Sequence, residues 1–465
     1  MHRGTVSALL LLTASIAFAQ SPAGLWLGTL EAGPTKLRLA LHVEAAANGG
    51  FNAKVDSLDQ GAMGIPVTSV KRNDRSLTFS LNGIKASYTA EIGSDGSQMT
   101  GTWEQGGVSM PLTLKRTDQI PEILRPQEPH KPYPYKEEDV KYPNPSAGIQ
   151  LAGTLTTPAG NAPFPAVLLI TGSGPQNRDE ELLGHRPFLI ISDYLTRHGI
   201  AVLRVDDRGI GQSTGSFAKA TTADFATDVQ AGIAWLKTRP EIDHARIGLI
   251  GHSEGGIIAP LVASQSADVA FIVMLAGTAV PGDQVLTEQQ MLVSKSMGVP
   301  GEVVAQNRAL NEKLFAILRA ESKPEEAEKK LAAVAREALA QMPEDQRKLV
   351  QPGLEAQVKS ANSPWFRYFL TYDPGPALRK LPCPVLAMNG ELDVQVSARQ
   401  NLPVIAKALE EAGNRDYEIV KLPKLNHLFQ TATTGSPSEY AAISETFSPL
   451  ALDILAQWIL RHTQP

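Results

Sequence analysis

A short apolar run, Ile247-Gly-Leu-Ile250, leads directly into Gly251-His252-Ser253-Glu254-Gly255, and Gly256-Ile-Ile-Ala-Pro-Leu-Val-Ala-Ser264 follows as a helix-compatible stretch. Strand, sharp turn and helix form the setting in which G-x-S-x-G presents a nucleophile. Only small residues can flank a serine on so tight a turn, because a Cβ on either side would collide with backbone. Such a turn lifts Ser253 Oγ clear of a sheet and sets it near a helix N-terminus, whose free N–H groups favour developing negative charge. Read alone, the same letters describe a glycine-rich loop that happens to contain a serine, so the motif needs partners elsewhere in the chain.

The surrounding sequence supplies them. Phe164–Ile170, Ile200–Val205, Val269–Leu275 and Pro384–Asn389 are continuous apolar runs, and helical patterns over Phe188–Arg197, Thr222–Thr238 and Ala398–Ala412 alternate with them. Strands without polar alternation are buried on both faces, so this alternation predicts a mostly parallel sheet covered by helices. Gly148–Leu155 reads as an early strand, Tyr417–Leu422 as the last, and Ser448–His462 as a closing helix. Ser253, Asp393 and His427 each follow a predicted strand, and a parallel sheet gathers such positions on one edge. A hydroxyl, a base to take its proton and an acid to orient the base make an acyl-transfer site. His427 is the expected base, whereas His252, beside the nucleophile, is expected to point into the protein. Glu391 is the nearest substitute for Asp393, and Asp373 a more distant one. Two backbone N–H groups must hold the oxyanion. Glu254, the residue after the nucleophile, is one; Ser173 in the loop Gly172-Ser173-Gly174 is the other, with Gly174 as second choice.

Residues 282–364 interrupt the alternation with helical patterns over Gln284–Met297, Glu302–Ala320, Pro324–Gln341 and Glu344–Lys359. Their charges read as solvated faces, and their place between two sheet strands predicts a lid. Upstream, 20–116 shows short alternating strands with Asn48-Gly49, Asn82-Gly83 and Asp95-Gly96 at hairpin positions, which predicts a small all-β barrel or sandwich. Trp26 and Trp103 are either its core plugs or a carbohydrate-stacking platform. Between the two regions, 117–136 carries five prolines among charges and reads as a semi-rigid linker.

Residues 1–19 read as a secretory signal peptide: a weakly basic start, an apolar run too short to span a bilayer, and Ala17-Phe18-Ala19 at the cleavage site. The mature protein is therefore expected to be exported, periplasmic or secreted, without membrane insertion. With Cys383 the only cysteine, no internal disulfide can form, and its place beside a predicted strand suits a small core residue. A net charge of -5 gives no footprint for nucleic acid. Cysteine and histidine are too sparse for a structural zinc site.

On Gly251-His-Ser-Glu-Gly255, Asp206-Asp-Arg-Gly-Ile-Gly-Gln-Ser213, Gly390-Glu-Leu-Asp393 and Asn426-His427, residues 137–465 resemble the α/β-hydrolase superfamily of serine esterases and peptidases. With its signal peptide and N-terminal β region, the whole chain is similar to bacterial exported carboxylesterases of the serine aminopeptidase-like kind. Thr171-Gly-Ser-Gly-Pro-Gln-Asn-Arg-Asp179 resembles their oxyanion loop, with Thr171 where the family often has histidine. The resemblance implies cleavage of a small-molecule ester through an acyl-enzyme on Ser253, a structural rather than catalytic Arg208, and no metal or organic cofactor. Two alternatives stay open: an exported peptidase of the same fold, with Glu254 or lid carboxylates holding a substrate amino group, and a carbohydrate- or surface-binding protein acting through the β region.

Overall fold

The computed structural model describes residues 21–463 except 33–34, 47–48, 61, 121–124, 343, 345–346 and 348–349. The signal-peptide segment, Asn48 of one hairpin position and part of the predicted helix Glu344–Lys359 therefore lie outside the described residues. No helix among those described is long and apolar enough to cross a membrane. The chain divides into two compact units, one within 1–58 and 62–121, the other within 59–61 and 122–465.

The first unit is a single antiparallel sheet of nine strands. They run β1 (Gly24–Ala32), β2 (Thr35–Ala45), β3 (Phe51–Ser57), β4 (Ala62–Pro66), β5 (Ser69–Asn73), β6 (Ser76–Leu81), β7 (Ala86–Ile92), β8 (Gln98–Gln105) and β9 (Val108–Thr117), and pair in the order β4-β3-β2-β1-β9-β8-β7-β6-β5. The sheet curls: Val67 and Thr68, between its two edge strands, hydrogen-bond to Ala53 on β3 and Ser80 on β6. Period-two patterning sets its inner face. Leu77, Phe79 and Leu81 alternate inward on β6, and Tyr88, opposite Phe79, stacks on it and donates its hydroxyl to the Met99 and Leu112 carbonyls. Trp26 and Trp103 are also inside, at 0% and 4% exposure. A ring buried on that inner face cannot stack on a sugar, so the carbohydrate platform is not there; both tryptophans are core plugs.

The second unit holds a mixed sheet of eight strands, in the order β10-β11-β13-β12-β14-β15-β16-β17. β10 (Lys136–Asn144) and β11 (Ile149–Thr157) are antiparallel; β12 (Phe164–Ile170), β13 (Ala201–Val205), β14 (Ile242–His252), β15 (Phe271–Leu275), β16 (Val385–Gly390) and β17 (Tyr417–Leu422) are parallel. Successive residues face opposite layers, which is why these strands carry no polar alternation. Leu168, Leu249, Met274 and Ala387 pack under α2 (Thr222–Leu236), α3 (Gly255–Ala263) and the helix Ala398–Glu411. Their neighbours Leu169, Ile250, Leu275 and Met388 pack under α1 (Pro187–Arg197) and the helix Pro449–Thr463. Cys383 lies in the first of these cores, and burial pushes its thiol up to about 11. The expected α/β-hydrolase architecture is the one observed.

Two boundaries differ from expectation. The helical insertion between β15 and β16 does not stop at 364: the helix Pro364–Thr371 and a further turn, Gly375–Leu378, belong to it. Short aromatic helices read as strand or loop in a sequence, and this one is set by Ser363, whose hydroxyl caps the Phe366 N–H, with Pro364 at the first helical position. The predicted linker is likewise only partly a linker. Arg125 donates to the carbonyls of Leu183, Gly184, Ala441 and Ile443, and Gln127 binds the backbone of Thr446 and Phe447 on both its amide atoms. Glu128 pairs with Arg186. From Arg125 onward the segment is a strap fastened to the rest of the second unit.

Candidate active site

The β14–α3 turn holds Ser253 at φ +52°, in the left-handed region, where a non-glycine residue costs about 1–3 kcal/mol. The turn is anchored by the Ser253 N–H to the Leu275 carbonyl, 2.8 Å. Its glycines are obligatory. A Cβ on Gly251 would lie 2.0 Å from the Gly255 carbonyl oxygen, and one on Gly255 would lie 2.2 Å from that of Ile170.

His427 follows β17 and Asp393 follows β16. Asp393 Oδ2 accepts from His427 Nδ1 at 2.8 Å and from Asn389 Nδ2 at 3.2 Å; Oδ1 accepts from the Gln395 and Val396 N–H groups, both 2.8 Å. Four donors hold this buried carboxylate in one orientation. Asn426 shapes the His427 loop by accepting from the N–H groups of Leu428 and Gln430. The considered substitutes for Asp393 are elsewhere: Glu391 faces Lys421, and Asp373 accepts from the Gly375 N–H.

Ser253, His427, Glu254 and Ser173 line one cavity of about 220 Å³. Gly174, at φ +97°, sits one residue beyond Ser173 and outside the cavity wall. Among the described residues, neither the Ser173 nor the Glu254 backbone N–H has a protein acceptor. The loop carrying Ser173 is pinned from both sides. Asp207 accepts from the Thr171 hydroxyl (2.7 Å) and the Gln176 N–H (2.9 Å), and Asp206 holds Arg178 through backbone and guanidinium. Burial, opposed by these two hydrogen bonds, pushes the Asp207 carboxyl up to about 7. Arg208 turns away to Asp228 and the Asp224 carbonyl, a structural role.

Sequence reasoning missed three residues here. Trp365 and Phe369, stacked with centroids 5.3 Å apart, bring the insertion over the cavity, and Trp365 Nε1 donates to Glu254 Oε1 at 2.8 Å. Glu254 also accepts from the hydroxyls of Thr222 and Ser173; burial raises its carboxyl while these donors oppose the shift. The third is Glu180, one residue beyond the recognised loop motif, which meets His252. That histidine points inward as expected, with Nδ1 on Glu180 and Nε2 on the His427 carbonyl. The only signal for Trp365 and Phe369 was an aromatic cluster after a capping serine; for Glu180 there was none.

The chain is similar to the esterase EstD of Thermotoga maritima, 26% identical over 312 residues, 67% of this chain and 66% of that one. It is also similar to the esterase FrsA of Serratia proteamaculans, 34% identical over 129 residues, 28% of each chain. The chain thus spans just under two thirds of the first relative and about a quarter of the second. Among solved structures, the α/β hydrolase GrgF from Penicillium aligns over 70% of this chain and 99% of its own, at 18% identity and a TM-score of 0.43. The family model for X-Pro dipeptidyl-peptidase (S15 family) matches residues 147–420, more than half of the sequence. The chain therefore belongs to the S15 family.

Proposed function

We propose that this is an exported carboxylesterase that cleaves short-acyl esters through an acyl-enzyme on Ser253. The observation that carries the reading is the elbow serine and the Asp393-bound imidazole of His427 in the wall of one cavity. Asp393 holds the proton on His427 Nδ1, which leaves Nε2 as the free base. His427 takes the Ser253 proton as Oγ attacks the ester carbonyl, and the N–H groups of Glu254 and Ser173 receive the oxyanion. The alcohol leaves with the proton from His427, and water then releases the acid by the reverse sequence. The cavity's apolar wall, formed by Leu182, Val285, Leu286, Phe369 and Val396, and its modest volume support a short acyl group.

The S15 family description favours a second reading, a peptidase that anchors a substrate amino group. Glu254 is the acid next to the nucleophile in sequence, but Thr222, Trp365 and Ser173 already donate to it, which favours the ester. Hydrolysis of p-nitrophenyl butyrate and of an Xaa-Pro p-nitroanilide separates the two. Ester turnover that vanishes in Ser253→Ala and outpaces the anilide supports the proposal; faster anilide release rejects it.

A further inference from the structure

We propose that Glu180 and His252 form a positioning pair that locks three catalytic loops in register. The proposal rests on the esterase reading. Each point the pair touches is one covalent step from a group that reading uses, or is part of it. Glu180 Oε1 accepts from the Gly172 N–H at 2.6 Å, and Gly172 precedes the oxyanion donor Ser173. The same oxygen meets His252 Nδ1 at 2.9 Å, and His252 precedes Ser253. His252 Nε2 lies 3.1 Å from the backbone carbonyl of His427, and the two imidazoles are 4.9 Å apart at 43°.

Hydrogen-bond arithmetic defines the pair's state. A carbonyl only accepts, so His252 Nε2 carries a hydrogen. Nδ1 and Glu180 Oε1 then need one more proton between them, placed on either atom. With that proton all three links are made. Without it, two lone pairs face each other inside the protein, or the His427 link is broken. Neither ring nitrogen is left to reach Ser253 Oγ, so His252 is not a second base. Glu180 is 5% exposed and His252 7%. Glu180 also adopts φ +50°, a strained conformation for a glutamate, which a purely space-filling residue would not require.

The charges around the imidazole keep the proton in place. Burial works against an imidazolium, but Glu180, the His427 carbonyl and, more weakly, Asp393 outweigh it, and the His252 pKa is raised. The Glu180 charge also helps to raise the Asp207 carboxyl. The other titratable group at the ring is His427 itself.

The test compares Glu180→Gln, His252→Gln and the double variant of the full chain on p-nitrophenyl butyrate. Rates are expressed per serine titrated with a fluorophosphonate, so that loss of folded enzyme is divided out. A misregistered site should lose about 10–100-fold in kcat with KM within about threefold of wild type. The double variant should be no worse than the worse single. In Glu180→Gln, where the strongest charge opposing the burial of His252 is gone and only the weaker Asp393 remains, the alkaline loss of kcat should move to lower pH. Variants that differ only in melting temperature, with kcat per titrated serine and pH profile unchanged, overturn the proposal while leaving the esterase reading intact. A wild-type chain that neither turns over the ester nor takes the label sinks that reading and this one together.

Discussion

Replacing Asp393 with asparagine should cost nearly all turnover while sparing most of the fold. The two backbone donors, Gln395 and Val396, both sit on Oδ1, and the two side-chain donors, His427 and Asn389, on Oδ2. Asparagine keeps the backbone pair by placing its oxygen at Oδ1, which puts an NH2 group where His427 Nδ1–H and the Asn389 amide already point. The imidazole escapes by moving its proton to Nε2. In that tautomer it presents a hydrogen to Ser253 and can no longer accept one. The opposite amide orientation strands two buried N–H groups instead. A wrong-tautomer histidine in a serine hydrolase lowers kcat by about 10⁴, about 5 kcal/mol of barrier. The accompanying loss of stability should be about 1.5–3 kcal/mol, one hydrogen bond to a charged group. Steady-state hydrolysis of p-nitrophenyl butyrate measures the first, and urea unfolding the second. Glu391→Gln is the control, since the Glu391 carboxylate pairs with Lys421, away from the site, and should leave kcat unchanged. An Asp393→Asn enzyme that keeps more than about a tenth of wild-type kcat would refute the argument that this carboxylate sets the tautomer.

Three further outcomes follow from the same geometry. Trp365→Phe keeps the stack on Phe369 but removes the donor to Glu254; KM for the butyrate ester should rise several-fold with a smaller change in kcat, measured by steady-state kinetics. Gly251→Ala drives a Cβ against the Gly255 carbonyl, a backbone clash that no rotamer relieves, and should cost more than about 4 kcal/mol, read as loss of soluble protein or a lowered urea midpoint. Asp207 gives a pH signature. Its carboxyl is pushed up to about 7 when folded and titrates near 4 when unfolded. Between those values the folded chain keeps a proton the unfolded chain has lost, so stability falls as pH rises from about 4 to about 7. The fall is at most about 4 kcal/mol. Asp207→Asn should flatten it, as checked by melting temperature from pH 4.5 to 7.5.

Much of the hydrolase unit was legible because its strands are buried on both faces, and continuous apolar runs such as Phe164–Ile170 leave little ambiguity. Loop tips after such strands must meet at one sheet edge, so Ser253, Asp393 and His427 could be paired across 174 residues of chain without knowing any contact. What stayed hidden was set by pairings with no local signature. Glu180 finds His252 only because the loop after β12 folds back over the elbow. Trp26 and Trp103 show the reverse limit: the sequence left a core plug and a carbohydrate platform both open, and only the burial of the two rings decides for the plug. The aromatic helix Pro364–Thr371 is too short for its period to declare itself.

The strap at 125–128 also has a practical reading for anyone dissecting this protein. A fragment begun at 137, where the sheet pattern starts, would strip the carbonyls of Leu183, Gly184, Ala441, Ile443 and Phe447 of their donors and leave Arg186 without its acid. The shortest self-sufficient hydrolase should therefore start ahead of Arg125, and a protease that nicks the chain just downstream of Glu128 would loosen the enzyme rather than merely separate its two halves.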